Sequence, residues 1–404
     1  MSSQRIFLAY LLSISCIFSG GNIVRAENTS ANPLDAKIDR SDPVIPAGYG
    51  TRELSSFEKY RITEAINELD RTARVKLEQG EDGAFKLWYR RLKLSRALGS
   101  EAEITALGEV GAIAWKENRS EDLRNIANRL TSIQDELTSQ EYLSPDLLGK
   151  FATAYEQIRY LDKAVNIYQQ ILVNSREQDD AIAERQNLAK LGELYLARFD
   201  DRQAAKIYRE LLSSTDSQRE PKLQTTYLNT LIDIYDRTSQ TNKALTAKKR
   251  LLELYAKSQP DKLAGLEIAI ADDYKSLNQS QKAIEAYERA FNTALSAQRF
   301  ATASDALTQL GELYRETGSM DRAIASYLKL LEIQQQSDDR YGAIVTYDTL
   351  GKIHLDLGQK AQARQYFERG LKLAESLDYK VKYFRDRLQL LSNTSPQMNT
   401  DKRR

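Results

Sequence analysis

Apolar side chains recur at helical spacing along most of the chain, and they group into helix pairs that return about every 40 residues. One clear pair has apolar positions at Leu188, Leu191, Leu194 and Tyr195, followed by Ala204, Ile207, Tyr208 and Leu211. Residues three and four apart share one face of an α-helix, so this spacing predicts two amphipathic helices in each unit. No alternating strand pattern competes with it. The pattern therefore predicts an all-α fold built from helical repeats.

A small residue marks the same position in most units, and we call this position the anchor of the repeat. The anchors are Thr72, Gly111, Ala152, Gly192, Ile232, Ala271, Gly311 and Gly351. An aromatic residue usually follows three positions after the anchor, an alanine twelve positions after it, and a second aromatic sixteen positions after it. We expect Gly or Ala on one helix to meet Ala on the other where the two helices cross. Six copies are well formed, and the first two are degenerate.

Short polar breaks separate the two helices of each unit. Gly318, Gly358, Asn118 and Asn278 stand in these breaks. Glycine and asparagine tolerate the left-handed backbone conformation that commonly ends a helix, so we expect these residues to adopt it.

The arrangement resembles the tetratricopeptide repeat family, whose motif has small residues at repeat positions 8 and 20 and aromatics at positions 11 and 24. The resemblance covers roughly residues 60 to 390, in a variant with units of about 40 residues rather than the usual 34 or so. Few prolines end the units. The resemblance implies an all-α, right-handed superhelical solenoid of about eight helix-turn-helix repeats with a C-terminal capping helix. It also implies a concave groove lined by the first helix of each unit.

These patterns divide the chain into four parts. We predict a signal peptide at 1–26, a disordered linker at 27–51, a solenoid at 52–391 and a disordered tail at 392–404. The predicted repeats lie near 60–98, 104–135, 145–178, 185–216, 225–258, 264–298, 304–337 and 344–377, and the predicted cap spans 379–391.

The first 26 residues indicate export from the cytoplasm. Arg5 precedes an apolar run from Ile6 to Phe18, and Val24 and Ala26 place small residues where a signal peptidase cleaves. We expect a mature protein in the periplasm, in a thylakoid lumen or secreted. The alternatives are an uncleaved membrane anchor, for which the run is short, and a lipoprotein modified at Cys16.

Charge and composition argue against nucleic-acid binding and against catalysis. The chain holds 58 basic and 57 acidic residues, so a nucleic-acid binder with a basic stripe is not expected. Cleavage after Ala26 would remove the only cysteine, which leaves one histidine, His354, at a position that is tyrosine in other units. With no glycine-rich phosphate loop either, we expect no cofactor, no metal and no enzymatic activity. We interpret His354 as a packed residue with its ring edge hydrogen-bonded.

The family geometry implies that repeat positions 2, 5, 9, 12 and 13 face the groove. Position 9 is acidic in four consecutive units, at Glu193, Asp233, Asp272 and Glu312; we call these four residues the acidic ladder. Asp236, Lys275 and Arg315 occupy neighbouring groove positions. A net acidic groove favours a basic partner segment, although the same acids are also common as solvated helix residues. The carboxylate clamp known in the family is not matched.

A secondary candidate lies in the degenerate first repeat. Trp88 is accompanied there by a basic strip that includes Arg90 and Arg91. Packing of Trp88 in a core or cap competes with a role as an exposed binding anchor. The region from Pro43 to Trp115 also resembles the start of exported repeat proteins of cyanobacteria and the chloroplast lumen.

The sequence therefore predicts an exported, non-catalytic scaffold that binds partner proteins in its groove, without stable insertion in a membrane. One alternative is a transient assembly factor for a membrane complex at its periplasmic or lumenal face. A more distant alternative is an envelope enzyme that uses groove carboxylates.

Overall fold

A computed structural model describes residues 32–140, 143–215 and 219–393. It divides into two compact units, one up to Ile167 and one from Tyr168 onward. The first unit holds α1 (Ser56–Glu78), α2 (Ala84–Ala97), α3 (Ser100–Lys116), α4 (Ser120–Gln140) and α5 (Pro145–Gln157), and α6 (Leu161–Glu177) contains the boundary.

The second unit continues with helices in the same alternation. These are α7 (Ala181–Ala197), α8 (Asp201–Ser213), α9 (Pro221–Arg237), α10 (Thr241–Ser258), α11 (Leu263–Ser276), α12 (Ser280–Ser296), α13 (Phe300–Glu316), α14 (Met320–Gln336), α15 (Arg340–Asp356), α16 (Lys360–Ser376) and α17 (Val381–Asn393). A 3-10 turn, Pro260–Lys262, precedes α11. We number the repeats by helix pairs, from repeat 1 (α1 and α2) to repeat 8 (α15 and α16). The predicted all-α class of helical repeats with a final capping helix is confirmed.

The small anchor residues make room for an aromatic ring, which differs from the expected contact with alanine. A Cβ atom added to Gly192 would lie 3.1 Å from ring atoms of Tyr208, and one added to Gly311 would lie 2.8 Å from Cζ of Tyr327. A Cβ atom added to Gly351 would lie 2.5 Å from the ring of Phe367. In repeats 4, 7 and 8 the anchor and the aromatic residue sixteen positions later are therefore direct partners, and the ring fills the space that a larger anchor would need.

The turn inside each hairpin has the same backbone geometry in repeats 2 to 8. The residue seven positions after the anchor has a positive φ in all seven, at Asn118, Arg159, Phe199, Ser239, Asn278, Gly318 and Gly358. The next backbone N–H donates to the carbonyl three residues after the anchor, at 2.8 to 2.9 Å, as in Asp200 to Tyr195 and Ser319 to Tyr314. This is the hydrogen bond of a Schellman helix end. The left-handed conformations predicted for Gly318, Gly358, Asn118 and Asn278 are present.

Residues 32–54 pack against the first two repeats, so the prediction of a disordered linker is wrong for residues 32–51. Leu34 is 1% exposed and Ile45 is 7% exposed, the latter in a cluster with Ile62 and Leu94. Arg96 donates to the carbonyl of Ala36 at 3.0 Å. Prolines and glycines suggested disorder, but the apolar residues between them supply enough buried surface to order the segment.

Buried charges replace part of the usual apolar interior in repeats 1 and 2. Glu103 is 3% exposed and accepts hydrogen bonds from Arg96 at 2.9 Å and from Arg129 at 2.8 Å. Buried ions need partners of this kind because desolvation of an isolated charge is costly. These ion pairs join α2, α3 and α4 inside the first two repeats.

The last helix closes the described part of the second unit. Phe384 of α17 is fully buried against Phe367, and the Tyr383 hydroxyl donates to Asp348 at 2.8 Å. The predicted signal peptide, residues 27–31 of the predicted linker and residues 394–404 of the predicted tail lie outside the described residues.

Candidate partner-binding surface

The four residues of the acidic ladder all lie exposed on the first helices of repeats 4 to 7. They occupy α7, α9, α11 and α13, and in each helix the ladder residue directly follows the buried anchor. Residues at the same repeat position share the same helix face, because the period of the repeat keeps each helix in register. The ladder is therefore an accessible acidic feature of the second unit.

Buried tyrosines place their hydroxyl groups beside the ladder. The hydroxyl of Tyr287, a fully buried side chain, donates a hydrogen bond to Asp272. Burial raises the pKa of Tyr287, and the charges of Asp272, Glu316 and Glu312 raise this pKa further. Two ladder residues on neighbouring first helices thus act on the same hydroxyl group.

The same relationship holds in repeats 4 and 7. Burial raises the pKa of Tyr208, with an added effect from Glu193. Burial likewise raises the pKa of Tyr327, with an added effect from Glu312 and an opposing one from Arg315. In repeats 4, 6 and 7 the acid at position 9 thus accompanies a tyrosine at position 24 of the same repeat, whereas in repeat 5 Asp233 shares its repeat with Lys248. In repeat 8, where that aromatic is Phe367, position 9 is a lysine.

Basic side chains neutralise the surface around the ladder only in part. Lys275 donates to Glu316 at 2.9 Å, which links α11 to α13. Lys190 reaches Glu193 at 3.3 Å on the same helix. Within the described residues, neither Asp233 nor Glu312 forms a hydrogen bond or an ion pair, which leaves both carboxylates available to a ligand.

Repeat 5 contains a buried lysine that the sequence analysis missed. Lys248 is 6% exposed and stands at the position of the second aromatic. Its ammonium group donates to Asp273 at 3.0 Å and to Asp236 at 3.1 Å. Asp236, predicted as a groove residue, is therefore engaged within its own repeat. The signal was present in the sequence, because Ile232 breaks the rule of small anchors at the one unit where a lysine replaces the ring.

Of the two interpretations of Trp88, packing in the core is the one that the structure shows. Trp88 is fully buried, and its Nε1 donates to Asp70 at 3.0 Å, so it is a core residue. It stands sixteen residues after Thr72, which is the position of the second aromatic. Arg90 is bound to Asp42 of the N-terminal segment at 2.8 Å. Arg91 is 8% exposed and pairs with Asp70 at 3.3 Å.

His354 has the packed role that the sequence predicts. It is 8% exposed, its Nδ1 lies 2.5 Å from Oε1 of Gln359, and its ring stacks on Tyr366 with centroids 5.1 Å apart. Among residues 32–140, 143–215 and 219–393, no group of three or more His, Cys, Asp or Glu side chains is placed to hold a metal ion. In the same part of the chain, no helix has the length and apolar character needed to cross a membrane.

Residues 302–376, which comprise nearly all of repeats 7 and 8, match the family model described as tetratricopeptide repeat. The protein contains tetratricopeptide repeats. The resemblance inferred from the sequence is confirmed, and the cyanobacterial or lumenal type stays a prediction. No curated protein matches the chain.

Several solved structures share the helical character of the chain at low similarity. BtubC from P. vanneervenii is 22% identical, with 54% of this chain and 92% of that chain covered and a TM-score of 0.36. The STAND protein PH0952 from Pyrococcus horikoshii, which has a tetratricopeptide repeat sensor, is 14% identical. The match covers 85% of this chain and 51% of that chain, with a TM-score of 0.40. Aspartyl phosphate phosphatase F from Bacillus subtilis is 15% identical, and the match covers 72% of this chain and 79% of that chain with a TM-score of 0.38.

Proposed function

We propose that the protein is an exported, non-catalytic scaffold that binds basic segments of partner proteins along the acidic ladder. The observation that carries the proposal is the exposure of Glu193, Asp233, Asp272 and Glu312 at one repeat position on four successive first helices. Repeat modules of this family are typically interaction modules without catalytic activity. The family match thus supports the coarse function, and the ladder supports the choice of partner.

The local concentration of acidic side chains is the physical basis for the preference for basic partner segments. The whole chain is almost neutral, so attraction of a basic segment depends on where the charges lie and not on their total. Asp233 and Glu312 have no ion pair among the described residues, and Asp272 is engaged only by the neutral hydroxyl of Tyr287. Each exposed ion pair contributes little, about 0 to 1 kcal/mol. Several pairs formed with one ligand would add to a measurable affinity.

A titration with defined peptides tests the ladder. The probe is a 12-residue peptide with lysine at every third position, and its partner peptide carries glutamine at those positions. The test variant combines Glu193→Gln, Asp233→Asn, Asp272→Asn and Glu312→Gln, which preserves side-chain size. We expect it to bind the lysine peptide at least tenfold more weakly, which corresponds to about 1.4 kcal/mol. Binding should also weaken as salt rises, because ions screen exposed charges.

The chain offers a matched control for total charge. Glu253, Glu285, Glu332 and Glu368 are four exposed acids on the second helices α10, α12, α14 and α16. Replacing them with glutamine removes the same number of charges, and we expect affinity close to that of the parent. Equal weakening in both variants would show that only net charge matters. Unchanged affinity in the ladder variant would refute the proposed site.

Export is a separate part of the proposal. It is supported by Arg5, the apolar run from Ile6 to Phe18, and the small residues Val24 and Ala26. Intact-mass analysis of the protein recovered from its native envelope should give a chain that starts at Glu27. A mass that retains residues 1–26, or one that includes a lipid on Cys16, would contradict it.

A further inference from the structure

A tyrosine stands three positions after the anchor in repeats 4 to 7, and in two of them its hydroxyl meets the second helix of the preceding repeat. In repeat 7 the hydroxyl of Tyr314 donates to Glu288 at 3.0 Å, and Arg322 lies over the ring, 5.8 Å from its centroid. In repeat 4 Gln169 donates to the hydroxyl of Tyr195 at 2.8 Å. Both partners stand seventeen positions after the anchor of the preceding repeat, so these two hydroxyls are satisfied within the chain.

Repeats 5 and 6 place cations around the equivalent tyrosines. In repeat 6, Lys249 and Lys282 lie 5.1 Å and 5.7 Å from the ring centroid of Tyr274. Lys249 occupies the position that is glutamate or glutamine beside Tyr314 and Tyr195. A carboxylate or amide partner is therefore replaced here by a positive charge.

The tyrosine of repeat 5 has the same surroundings. Lys243 lies 5.7 Å from the ring centroid of Tyr235. Burial raises the pKa of Tyr235, and the charge of Arg209, at the equivalent position of repeat 4, opposes that rise. Among the described residues, the hydroxyls of Tyr235 and Tyr274 have no hydrogen-bond partner, and both oxygens are accessible to solvent. Each is an available donor with two cations beside it.

The second helices around these tyrosines carry an excess of cations. We call the exposed side of α8 and α10, together with Tyr235, Tyr274 and Lys282, the basic face. Further exposed cations on it that have no ion pair among the described residues are Arg202, Lys206, Arg250 and Lys257. Asp201 of α8 pairs with Arg237, and Glu253 is the acid of α10. The basic face is therefore complementary to a negatively charged ligand.

We propose that the basic face binds an acidic segment of a partner protein, whose carboxylates accept hydrogen bonds from the hydroxyls of Tyr235 and Tyr274. Repeat 7 favours a carboxylate, because Glu288 makes this contact with Tyr314 within the chain. Cations beside the hydroxyl stabilise the charge of such a carboxylate. The basic face selects the opposite charge from the acidic ladder, so either site can fail without the other.

The test uses the full chain and fluorescence anisotropy of labelled probes. The probes are a 12-residue peptide with glutamate at every third position, its counterpart with glutamine at those positions, and a single-stranded thymidine pentanucleotide, which matches the four charges. We expect saturable binding of the glutamate peptide that weakens as salt rises. The other two probes should bind at least tenfold more weakly. No saturable binding of the glutamate peptide, or equal or tighter binding of either other probe, would overturn the proposal.

A charge variant locates the site. Arg209→Gln combined with Lys249→Glu introduces the residue types that repeats 4 and 7 use to satisfy their tyrosines. We expect it to bind the glutamate peptide at least tenfold more weakly. The control, Arg289→Gln combined with Lys372→Glu, makes the same change in charge at exposed positions of α12 and α16. It should bind within twofold of the parent, and equal weakening in both variants would refute the site.

A second variant tests the hydroxyls without a change in charge. Tyr235→Phe combined with Tyr274→Phe keeps both rings and removes both donors, so we expect at least threefold weaker binding of the glutamate peptide. Affinity equal to that of the parent would refute the assigned contacts. Thermal melts establish that each variant folds, and if one does not, the other variant decides.

Discussion

Repeats 5 and 7 fill the same crossing between two helices with different chemistry. In repeat 7 the anchor is Gly311, and it leaves room for the buried ring of Tyr327. In repeat 5 the anchor is Ile232, and the residue sixteen positions later is the buried Lys248. A large anchor occupies the space of the ring, and a narrow aliphatic chain then fits beside it. In these two repeats the two positions complement each other in size, and the fold accommodates either solution.

The two solutions differ in their energetics. Burial of the Tyr327 ring removes a large apolar surface from water. Burial of Lys248 and Asp273 instead desolvates two charges, and their attraction repays this only where the remaining polar atoms are satisfied. Oδ2 of Asp273 has no partner among the described residues, and burial raises the pKa of its carboxyl group. We infer that repeat 5 is the less stable of the two and that it opens first.

The largest expected effect comes from removing the buried cation. Lys248→Met retains the shape of the side chain but leaves Asp273 buried without its partner, so we expect a loss of about 3 to 5 kcal/mol in the free energy of unfolding. Denaturant unfolding of the full chain measures it. Adding Asp273→Asn should recover part of the loss. A Lys248→Met variant as stable as the parent would refute the ionic account of repeat 5.

The next effect tests the space beside the ring in repeat 7. Gly311→Ala places a Cβ atom 2.8 Å from Cζ of Tyr327, which is too close for an undisturbed ring. Tyr327 is 3% exposed and has little freedom to move, so we expect a loss of about 1 to 3 kcal/mol. Thermal unfolding provides the measurement. Stability equal to that of the parent would mean that the anchor need not be small.

Alkaline pH should weaken the tyrosine-containing repeats. Burial raises the pKa of Tyr208, Tyr287 and Tyr327 above the ordinary value of 10.0. Above pH 10 the unfolded chain loses these protons while the folded chain keeps them, so stability is complete below pH 10 and falls as pH rises. The slope is at most about 1.4 kcal/mol per pH unit for each tyrosine. Tyr287→Phe should flatten the stability curve above pH 10, and an unchanged curve would contradict this assignment.

The smallest effect has the opposite sign and serves as the control for Gly311. Gly265 lies exposed in α11, and an added Cβ atom would meet nothing within 4 Å. Gly265→Ala should therefore stabilise the protein by about 0.4 to 1 kcal/mol through loss of freedom in the unfolded chain. Opposite signs for the two Gly→Ala variants in thermal melts would separate the effect of space from that of helix propensity. If both variants lost stability, the space beside the glycine would not be what decides the effect of the substitution.

The sequence was sufficient for features that depend on local periodicity. The helix pairs, the anchors and the left-handed turns at Asn118 and Gly318 follow from spacing within a single hairpin. The exposure of the ladder follows from the same period, because a residue directly after a buried anchor turns away from the core. What binds there is not a periodic property, so the ladder as a binding site stays a proposal.

The features that were missed depend on partners distant in the chain. Residues 32–51 are ordered because Leu34 and Ile45 find apolar neighbours in the first repeats, and the contact of the Trp88 indole with Asp70 likewise joins two helices. The contact of Tyr287 with Asp272 joins two residues on separate helices. Helical spacing assigns a residue to a face but does not reveal which side chain meets it across a crossing.

The uniform turns of the hairpins have a consequence for protein engineering. In repeats 2 to 6 the left-handed position holds a residue other than glycine, and Arg159, Phe199 and Ser239 lack the side-chain amide that makes asparagine tolerant there. Left-handed backbone costs an L-residue roughly 1 to 2 kcal/mol, part of which glycine would give back through its freedom in the unfolded state. We therefore expect that a few substitutions to glycine at the hairpin turns would stabilise the protein without altering the core or the acidic ladder.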